Sequence, residues 1–442
     1  MQPKKKTMQE TNPNTWRYKV VKGYLRLINE TLVVRHRYTI GMENLPKKGE
    51  KFFIVCNHQN TANDPLNIVF TLPLSWHVCA LARANVFSVN ALFTRFLNWI
   101  GLIPAFRIGW EGGEGLENNF ESFDIIAKRV NHPYPFLVFP EAGHTQGHYL
   151  GRFTTGTTRM AFHAAQANGW QDDIKIVPTA HHYADYFELN ADFLWMIGKP
   201  ISLKPYYEAY QAHPNSVMRE ITHQLRDSVE SMMLDEGIED YEAKDFLRCS
   251  ALNQAAVDDL PLPERLEADK SFVSRLKGHP HYQEVIQLAT RLKAQEDDLK
   301  IKDILFAKKP GWAKVFCSTV VLLCLLPLWI FSLWPHAICY ALPPRLIKND
   351  KMFTNSYRYV MSALFLYPLF ALLTLAVLGI GWGWWWQALA WILMWIPIGR
   401  FSWWYYQTLR HTRQAFRFLT SSTKIREIEQ LRNNIKNLLK YE

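Results

Sequence analysis

The chain has 442 residues, of which 48% are hydrophobic, and a formal net charge of +10. This length predicts two structural parts, and the composition suffices for a sizeable core. The six scattered cysteines, none at CxxC spacing, argue against a disulfide framework and a zinc site. The positive charge suits nucleic acid or an anionic membrane surface, and the apolar segments near the C-terminus favour the membrane. Because the first residues contain no apolar h-region, we expect no secretory signal.

The first predicted element, residues 16–34, is an amphipathic helix with basic residues between its apolar positions. It either lies on a membrane surface or packs on its own domain. From about residue 38 to 180, short apolar runs alternate with helical patterns. Strands are predicted at 52–56, 77–81, 102–106, 135–139 and 174–178, and helices at 65–73, 117–130 and 154–168. This alternation predicts an α/β domain with a mostly parallel sheet flanked by helices.

The stretch from Phe52 to Pro65 is an apolar run that ends in polar residues. His58 follows the predicted strand directly, at the sheet edge where open α/β folds bind ligands. Asp64, followed by Pro65, is predicted to be the N-cap of the next helix. On one short loop, Asp64 could orient the imidazole of His58 while the other ring nitrogen takes a proton from an attacking hydroxyl. The alternative is a simple loop histidine beside a helix cap.

Three further strands are predicted to end at the same edge. Arg107 follows one apolar run, Glu141 follows the strand at 135–139, and Pro178 ends the strand at 174–178. Arg107 is either a surface salt-bridge residue or a bidentate clamp for a phosphate or carboxylate. The predicted crevice therefore holds a histidine, two carboxylates and an arginine.

A metal site is a separate hypothesis for this region. His144 and His148 lie four residues apart, but the glycines beside them disfavour the helix that an HExxH site requires. A metal-dependent hydrolase that used His58, Asp64 and His144 would contain stoichiometric metal. We expect no metal and no cofactor.

A strand near 190–200 and a helix at 215–234 complete the α/β domain. Charged helical segments follow, and from residue 312 the chain becomes membrane-like. Val315–Leu342, interrupted by two prolines, is predicted to be a re-entrant hairpin whose halves are too short to span, whereas Tyr359–Ile380 has spanning length and 384–398 is shorter. The alternative is a large buried helical domain.

Basic residues flank the apolar blocks on the sides that the positive-inside bias assigns to the cytoplasm. They are Arg345, Lys348, Lys351, Arg358, Arg400, Arg410, Arg413 and Arg417. The tail after 405 has apolar residues at near-heptad spacing and is predicted to be a surface or coiled helix. The predicted organisation has five parts: an N-terminal amphipathic region (1–37), the catalytic domain (38–245), a helical linker (246–311), a membrane region with C-terminal membrane helices (312–400) and a basic helical tail (401–442).

Taken together, these residues resemble the glycerolipid acyltransferase superfamily, which includes glycerol-3-phosphate, 1-acylglycerol-3-phosphate and related lysophospholipid acyltransferases. Four blocks between about residues 38 and 205 carry the resemblance in the family's order. They are Asn57-His58 through Asp64-Pro65, Gly101 through Arg107, Phe139-Pro140-Glu141 with Gly156-Thr157 downstream, and Ile176-Val177-Pro178. Five residues separate His58 from Asp64, where the family usually has four, and this spacing is similar to that of the yeast-type glycerol-3-phosphate acyltransferases. Ala142-Gly143-His144 stands where the family usually has glycine, a small polar residue and a basic residue.

The resemblance implies that a glycerol hydroxyl attacks an acyl thioester, with His58 as the general base and Asp64 as its orienting residue. The residues implied in substrate binding are Arg107, Glu141, Gly143, Asn57, Gly101 and Arg152. The implied donor is acyl-CoA or acyl carrier protein, and the implied acceptor is glycerol-3-phosphate or a lysophospholipid such as 1-acylglycerol-3-phosphate. We expect an integral membrane protein that contacts membrane lipids and no nucleic acid, with its catalytic domain and tail facing the cytoplasm. The alternative is a catalytically idle lipid-binding or scaffold protein with the same fold.

Overall fold

A computed structural model of the chain describes residues 15–440, apart from 89, 106–121, 133, 142, 144–146, 187, 347–350 and the side chains of 351–353. Within these residues, an eight-stranded sheet forms the centre of an α/β fold. The strands are β1 (Val34–Ile40), β2 (Lys51–Cys56), β3 (Cys79–Arg83), β4 (Leu102–Ala105), β5 (Phe136–Val138), β6 (Ile174–Tyr183), β7 (Ala191–Ile197) and β8 (Ile201–Ser202). The predicted alternation of strands and helices is confirmed, with boundaries that differ by a few residues.

Helices cover the sheet and continue through the charged region that follows it. Those of the first part are α1 (Trp16–Leu32), α2 (Asn63–Thr71), α3 (Ala91–Trp99), α4 (122–131), α5 (Gly156–Ala167), α6 (Tyr207–Ala212) and α7 (Pro214–Met232). Those of the charged region are α8 (Tyr241–Cys249), α9 (Gln254–Val257), α10 (Leu262–Lys277), α11 (Tyr282–Leu299) and α12 (Ile304–Ala307).

The C-terminal part is also helical. Its helices are α13 (Trp312–Leu346), α14 (Lys351–Met361), α15 (Tyr367–Thr374), α16 (Trp385–Thr420) and α17 (Ser422–Leu438), with π-helical turns at Ser362–Leu366 and Leu375–Gly381. Of the two predicted interruptions, the one at Pro335 is confirmed and the one at Pro327 is wrong, and the re-entrant hairpin stays a prediction. Helix α13 continues through Pro327, because the fixed φ of proline fits a helix, but it is kinked at Trp334, whose backbone angles are not helical, so it consists of two helical segments. The chain reverses along α16 at this kink: Phe331 contacts Trp391, whereas Tyr340 contacts Trp403 and Tyr406.

The strand order is β1-β7-β6-β2-β5-β3-β4, with β8 beside β6. All strands from β6 to β4 run parallel, whereas β7 is antiparallel to β6 and β1 is parallel to β7. The sheet is therefore mixed. As a consequence, the amino ends of β1 and β7 lie at the same edge as the carboxyl ends of β2, β5 and β6, which is the edge where functional side chains are expected.

Strand β2 is buried on both faces, which explains its continuous apolar sequence. Phe53 and Val55 face one core cluster, and Phe52 and Ile54 face the other, because successive side chains of a strand point to opposite faces. Apolar residues of α10, α11 and α17 join the first cluster. The segment predicted as a helical linker (246–311) and the tail helix therefore share one hydrophobic core with the sheet domain.

Candidate active site

The loop between β2 and α2 carries His58 and Asp64 at the carboxyl edge of the sheet. His58 Nδ1 lies 2.8 Å from Asp64 Oδ2, which also accepts hydrogen bonds from the backbone N–H groups of Gln59 and Asn60, each at 2.8 Å. The predicted N-cap role of Asp64 is wrong. Helix α2 begins at Asn63, so Asp64 lies in its first turn and its side chain points back into the loop. The carboxylate closes the loop instead of capping the helix.

The loop accommodates its five intervening residues through one unusual backbone position. Thr61 has a φ of +47°, in the left-handed region that non-glycine residues rarely adopt. A turn around Thr61 brings the N–H of Asn63 to 3.0 Å from the carbonyl oxygen of Asn60. This tight turn allows His58 and Asp64 to approach each other despite the length of the loop.

The other oxygen of Asp64 faces strand β6. Oδ1 accepts a hydrogen bond from the hydroxyl of Tyr183 at 2.9 Å and lies 3.0 Å from Nε2 of the buried His181. Burial alone would raise the pKa of Asp64, but the contacts with His181 and His58 hold that pKa well below its usual range. Burial alone would lower the pKa of His181, whereas the Asp64 charge and the Cys56 sulfur raise it to about 10. Asp64 is therefore an ionised, firmly anchored acceptor.

The ionised carboxylate determines the tautomer of His58. Because Asp64 only accepts hydrogen bonds, His58 Nδ1 carries the proton and Nε2 is the basic nitrogen. The imidazole stacks on Phe139 with ring centroids 4.3 Å apart. Its side chain is 20% exposed, so a substrate can reach it. This arrangement is that of a general base oriented by a carboxylate.

Glu141 joins the site through backbone groups. Its Oε1 accepts the N–H of His58 at 2.8 Å, and its Oε2 accepts the N–H of Gly151 at 2.7 Å. A Cβ atom at position 151 would lie 2.4 Å from Oε2, so any other residue there would displace the Glu141 carboxylate. Burial raises the pKa of Glu141 despite these hydrogen bonds. Glu141 thus ties the loop of His58 to the 147–151 loop, and its role in substrate binding stays a prediction.

The other predicted binding residues have different positions. Arg107 lies outside the described residues. Gly143 follows Glu141 at the catalytic edge, and the exposed Arg152 follows Gly151. Asn57 is buried and bonds the backbone of β6, accepting the N–H of His181 at 2.9 Å.

Gly101 is not brought to this site. It precedes β4, so it lies at the opposite edge of the sheet from His58. Its φ of +99° and a Cβ position only 2.7 Å from His77 Cε1 require glycine for structural reasons.

Ser356 of α14 is a residue that the sequence analysis missed. Its buried hydroxyl donates to the carbonyl oxygen of Asn60 at 3.2 Å, accepts the N–H of Asn63 at 3.2 Å and forms a hydrogen bond with the Thr61 hydroxyl. The contact joins residues almost 300 positions apart, so no local sequence signal could reveal it. His181, near the carboxyl end of β6, also contacts Asp64 directly.

A buried polar cluster holds the 147–151 loop from the other side. Ligand atoms of His148, Glu236 and Asp245 lie close enough for a metal ion. However, Arg248 Nε lies 2.7 Å from Glu236, and its guanidinium pairs with Asp245 and lies 3.4 Å from His148. Burial raises the pKa of Glu236 to about 7 despite the arginine. The guanidinium already supplies the positive charge, so this cluster does not suit a metal. His144, the other predicted ligand, lies outside the described residues.

A protein-family model supports the predicted acyltransferase domain. Residues 36–182, about a third of the chain, match the family model described as Acyltransferase. A comparison with curated proteins finds no match. Among solved structures, the chain is similar to the crystal structure of the 1-acyl-sn-glycerophosphate (LPA) acyltransferase PlsC from Thermotoga maritima, with 14% identity and a TM-score of 0.33 over 48% of this chain and 78% of that chain. At this identity and TM-score, the structural similarity carries no argument about function.

Proposed function

We propose that this chain transfers an acyl group from a thioester to a hydroxyl of glycerol-3-phosphate or of a lysophospholipid. The observation that carries the proposal is the 2.8 Å contact between His58 Nδ1 and Asp64 Oδ2 at the carboxyl edge of the sheet. The match to the Acyltransferase family model spans both residues and supports the same reaction class.

The reaction follows from the protonation states of the pair. Nε2 of His58 takes the proton of the acceptor hydroxyl as its oxygen attacks the carbonyl carbon of the thioester. Asp64 stabilises the imidazolium that forms. When the carbon–sulfur bond breaks, the imidazolium returns the proton to the departing thiolate. The thiol, the new ester and a neutral His58 result, so the cycle needs no cofactor beyond the acyl donor, which we propose is acyl-CoA or acyl carrier protein.

We also propose that the protein works in a membrane. Among the described residues, Trp312–Leu346 and Thr354–Gly381 are long and apolar enough to cross one. Only 17% and 33% of their most apolar windows are buried, whereas the core helix of a soluble protein would be mostly buried. Helix α1 adds exposed Trp16, Val20 and Leu27 at helical spacing.

The proposed orientation places the catalytic domain and the tail in the cytoplasm. Its support is the cluster of arginines that follows the apolar first part of α16. They are Arg400, Arg410, Arg413 and Arg417. The proposed acceptor, glycerol-3-phosphate or a lysophospholipid, is suggested by the resemblance of the His58 loop to glycerolipid acyltransferases, including the yeast-type spacing from His58 to Asp64.

The test is acyl transfer by purified protein in detergent, with one labelled acyl-CoA and a panel of acceptors. The panel contains glycerol-3-phosphate, 1-acylglycerol-3-phosphate and two other lysophospholipids. We expect His58→Ala to abolish turnover with the preferred acceptor. His223→Ala, an exposed histidine on α7, is the matched control and should keep full activity. Unchanged turnover in His58→Ala would overturn the mechanism, and no turnover in the unmodified protein would favour an idle lipid-binding protein.

A further inference from the structure

An apolar cavity of about 320 Å³ lies between the sheet domain and the C-terminal helices. Its walls come from α13, α14 and α16, from the end of α1 and from the residues that lead into β1 and β7. Its aromatic and aliphatic lining includes Trp329, Leu333, Ala337 and Trp403. Because the amino ends of β1 and β7 lie at the catalytic edge, the cavity meets the sheet on the same side as His58. It is displaced from β2 by two to three strand spacings, roughly 10–14 Å.

Two guanidinium groups, those of Arg358 and Arg400, line this apolar space. The lining residues include neither aspartate nor glutamate among the part of the chain that the structure describes. Glu30 pairs with Arg26 at 2.7 Å, and Glu188, whose charge also acts on Arg358, pairs with Arg410 of α16, so the arginines outnumber the carboxylates near the cavity. The cavity therefore has a net positive charge beside apolar walls.

Both arginines donate hydrogen bonds to neutral groups. Arg358 donates from Nε to the carbonyl oxygen of Tyr340 at 3.1 Å and from one terminal nitrogen to Asn355 Oδ1 at 2.8 Å, and it lies 4.1 Å above the Tyr340 ring. Arg400 donates to the carbonyl oxygen of Glu30 at 3.3 Å. These contacts fix the guanidinium of Arg358 without neutralising it, which suits recognition of a phosphate.

We propose that this cavity binds an anionic phospholipid, with an acyl chain between the aromatic walls and the phosphate between Arg358 and Arg400. A phosphate there would lie two to three strands from His58, so we infer that the lipid is a resident ligand and not the acceptor being acylated. Helix α14 carries both Arg358 and Ser356, which holds the loop of His58. Occupancy of the cavity would therefore stabilise the helix that supports the catalytic loop.

The test measures lipid retention by the full chain in detergent, using native mass spectrometry. We expect one dioleoylphosphatidylglycerol to be retained in preference to dioleoylphosphatidylcholine. Arg400→Gln removes one charge from an exposed position, and Ala337→Phe fills the cavity. Each variant should weaken phosphatidylglycerol binding by roughly ten-fold. Arg400→Gln loses one charge-assisted contact, and Ala337→Phe loses a comparable amount of packing with the acyl chain. Arg413→Gln, on the same helix but outside the cavity lining, should bind as the unmodified protein does.

Equal retention of both lipids, or phosphatidylglycerol binding unchanged in Arg400→Gln, would overturn the proposal. The proposal would also be overturned if excess inorganic phosphate displaced phosphatidylglycerol while Ala337→Phe left phosphatidylglycerol binding unchanged. The site would then bind a free anion. His58→Ala should retain the lipid as the unmodified protein does. Lipid binding is thus measured independently of acyl transfer, and either proposal can fail alone.

Discussion

Replacing Ser356 by alanine tests how the C-terminal helix α14 acts on the catalytic loop. The serine hydroxyl has one donor hydrogen and two acceptor lone pairs, and its contacts with Asn60, Asn63 and Thr61 use all three. Because only 3% of Ser356 is exposed, alanine leaves these partners without a replacement. Each orphaned buried group costs about 1–3 kcal/mol, and partial relaxation of the loop reduces the sum. We expect a loss of roughly 2–4 kcal/mol in stability.

The same change should lower kcat more than it alters KM. The residues that Ser356 holds lie between His58 and Asp64, so their movement misaligns the base without removing a substrate contact. A displacement of about 1 Å at a reacting group lowers the rate by up to roughly 100-fold. Steady-state kinetics and thermal unfolding in detergent measure both effects. Ser356→Thr keeps the hydroxyl and should recover most of kcat.

Thr374→Ala is the matched control for Ser356→Ala. Thr374 is also buried in the C-terminal helices, but its hydroxyl donates to the carbonyl oxygen of Phe370 in its own helix, at 2.8 Å. Thr374→Ala should be slightly less stable than the unmodified protein and should have the same kcat. If Ser356→Ala has the kcat of this control, α14 does not position the loop.

Three further predictions concern the residues around Asp64. Asp64→Asn should lower kcat by roughly 10²–10⁴-fold while KM changes little, because the amide cannot stabilise an imidazolium; kinetics with the preferred acceptor would check this, and a loss below ten-fold would refute it. Glu141→Gln should lower kcat about ten-fold, because one amide oxygen cannot accept from both His58 and Gly151. The raised pKa of His181 stabilises the fold fully below about pH 6.5, and this stability is lost as the pH rises towards 10. The difference in melting temperature between the unmodified protein and His181→Gln should therefore shrink over that range, and a constant difference would contradict the ion pair.

Local pattern was sufficient to predict the strand-to-loop position of His58. A strand buried on both faces is a continuous apolar run, and the polar residues that follow it mark its carboxyl end. The position of Glu141 after β5 could be predicted in the same way. Its bonding to backbone N–H groups could not, because those groups belong to a neighbouring strand's loop and to Gly151.

The incorrect predictions have local causes. Asp64-Pro65 is a common start for a helix. Here the Asp64 carboxylate accepts hydrogen bonds from two loop N–H groups and His58 instead of from the N–H groups of the first helical turn. Pro327 and Pro335 both suggested a break, but the helix continues through Pro327 and is kinked only before Pro335, at Trp334, and local sequence does not distinguish the two prolines. Ser356 carries no signal of its own, since its importance arises from the packing of α14 against a loop that lies far away in sequence.

Asp64 lies between two histidines, and their different environments assign their roles. His181 contacts Oδ1, is fully buried and has its pKa raised to about 10, so it is protonated near neutral pH and cannot accept a proton. His58 contacts Oδ2 through Nδ1 and is 20% exposed, so its other nitrogen can meet a substrate. The buried imidazolium also balances the charge of Asp64, which lets the carboxylate stay ionised without solvent. One carboxylate thus serves a structural ion pair and a catalytic base at once, and the two functions separate experimentally: His181→Gln should act first on stability, and His58→Ala on turnover alone.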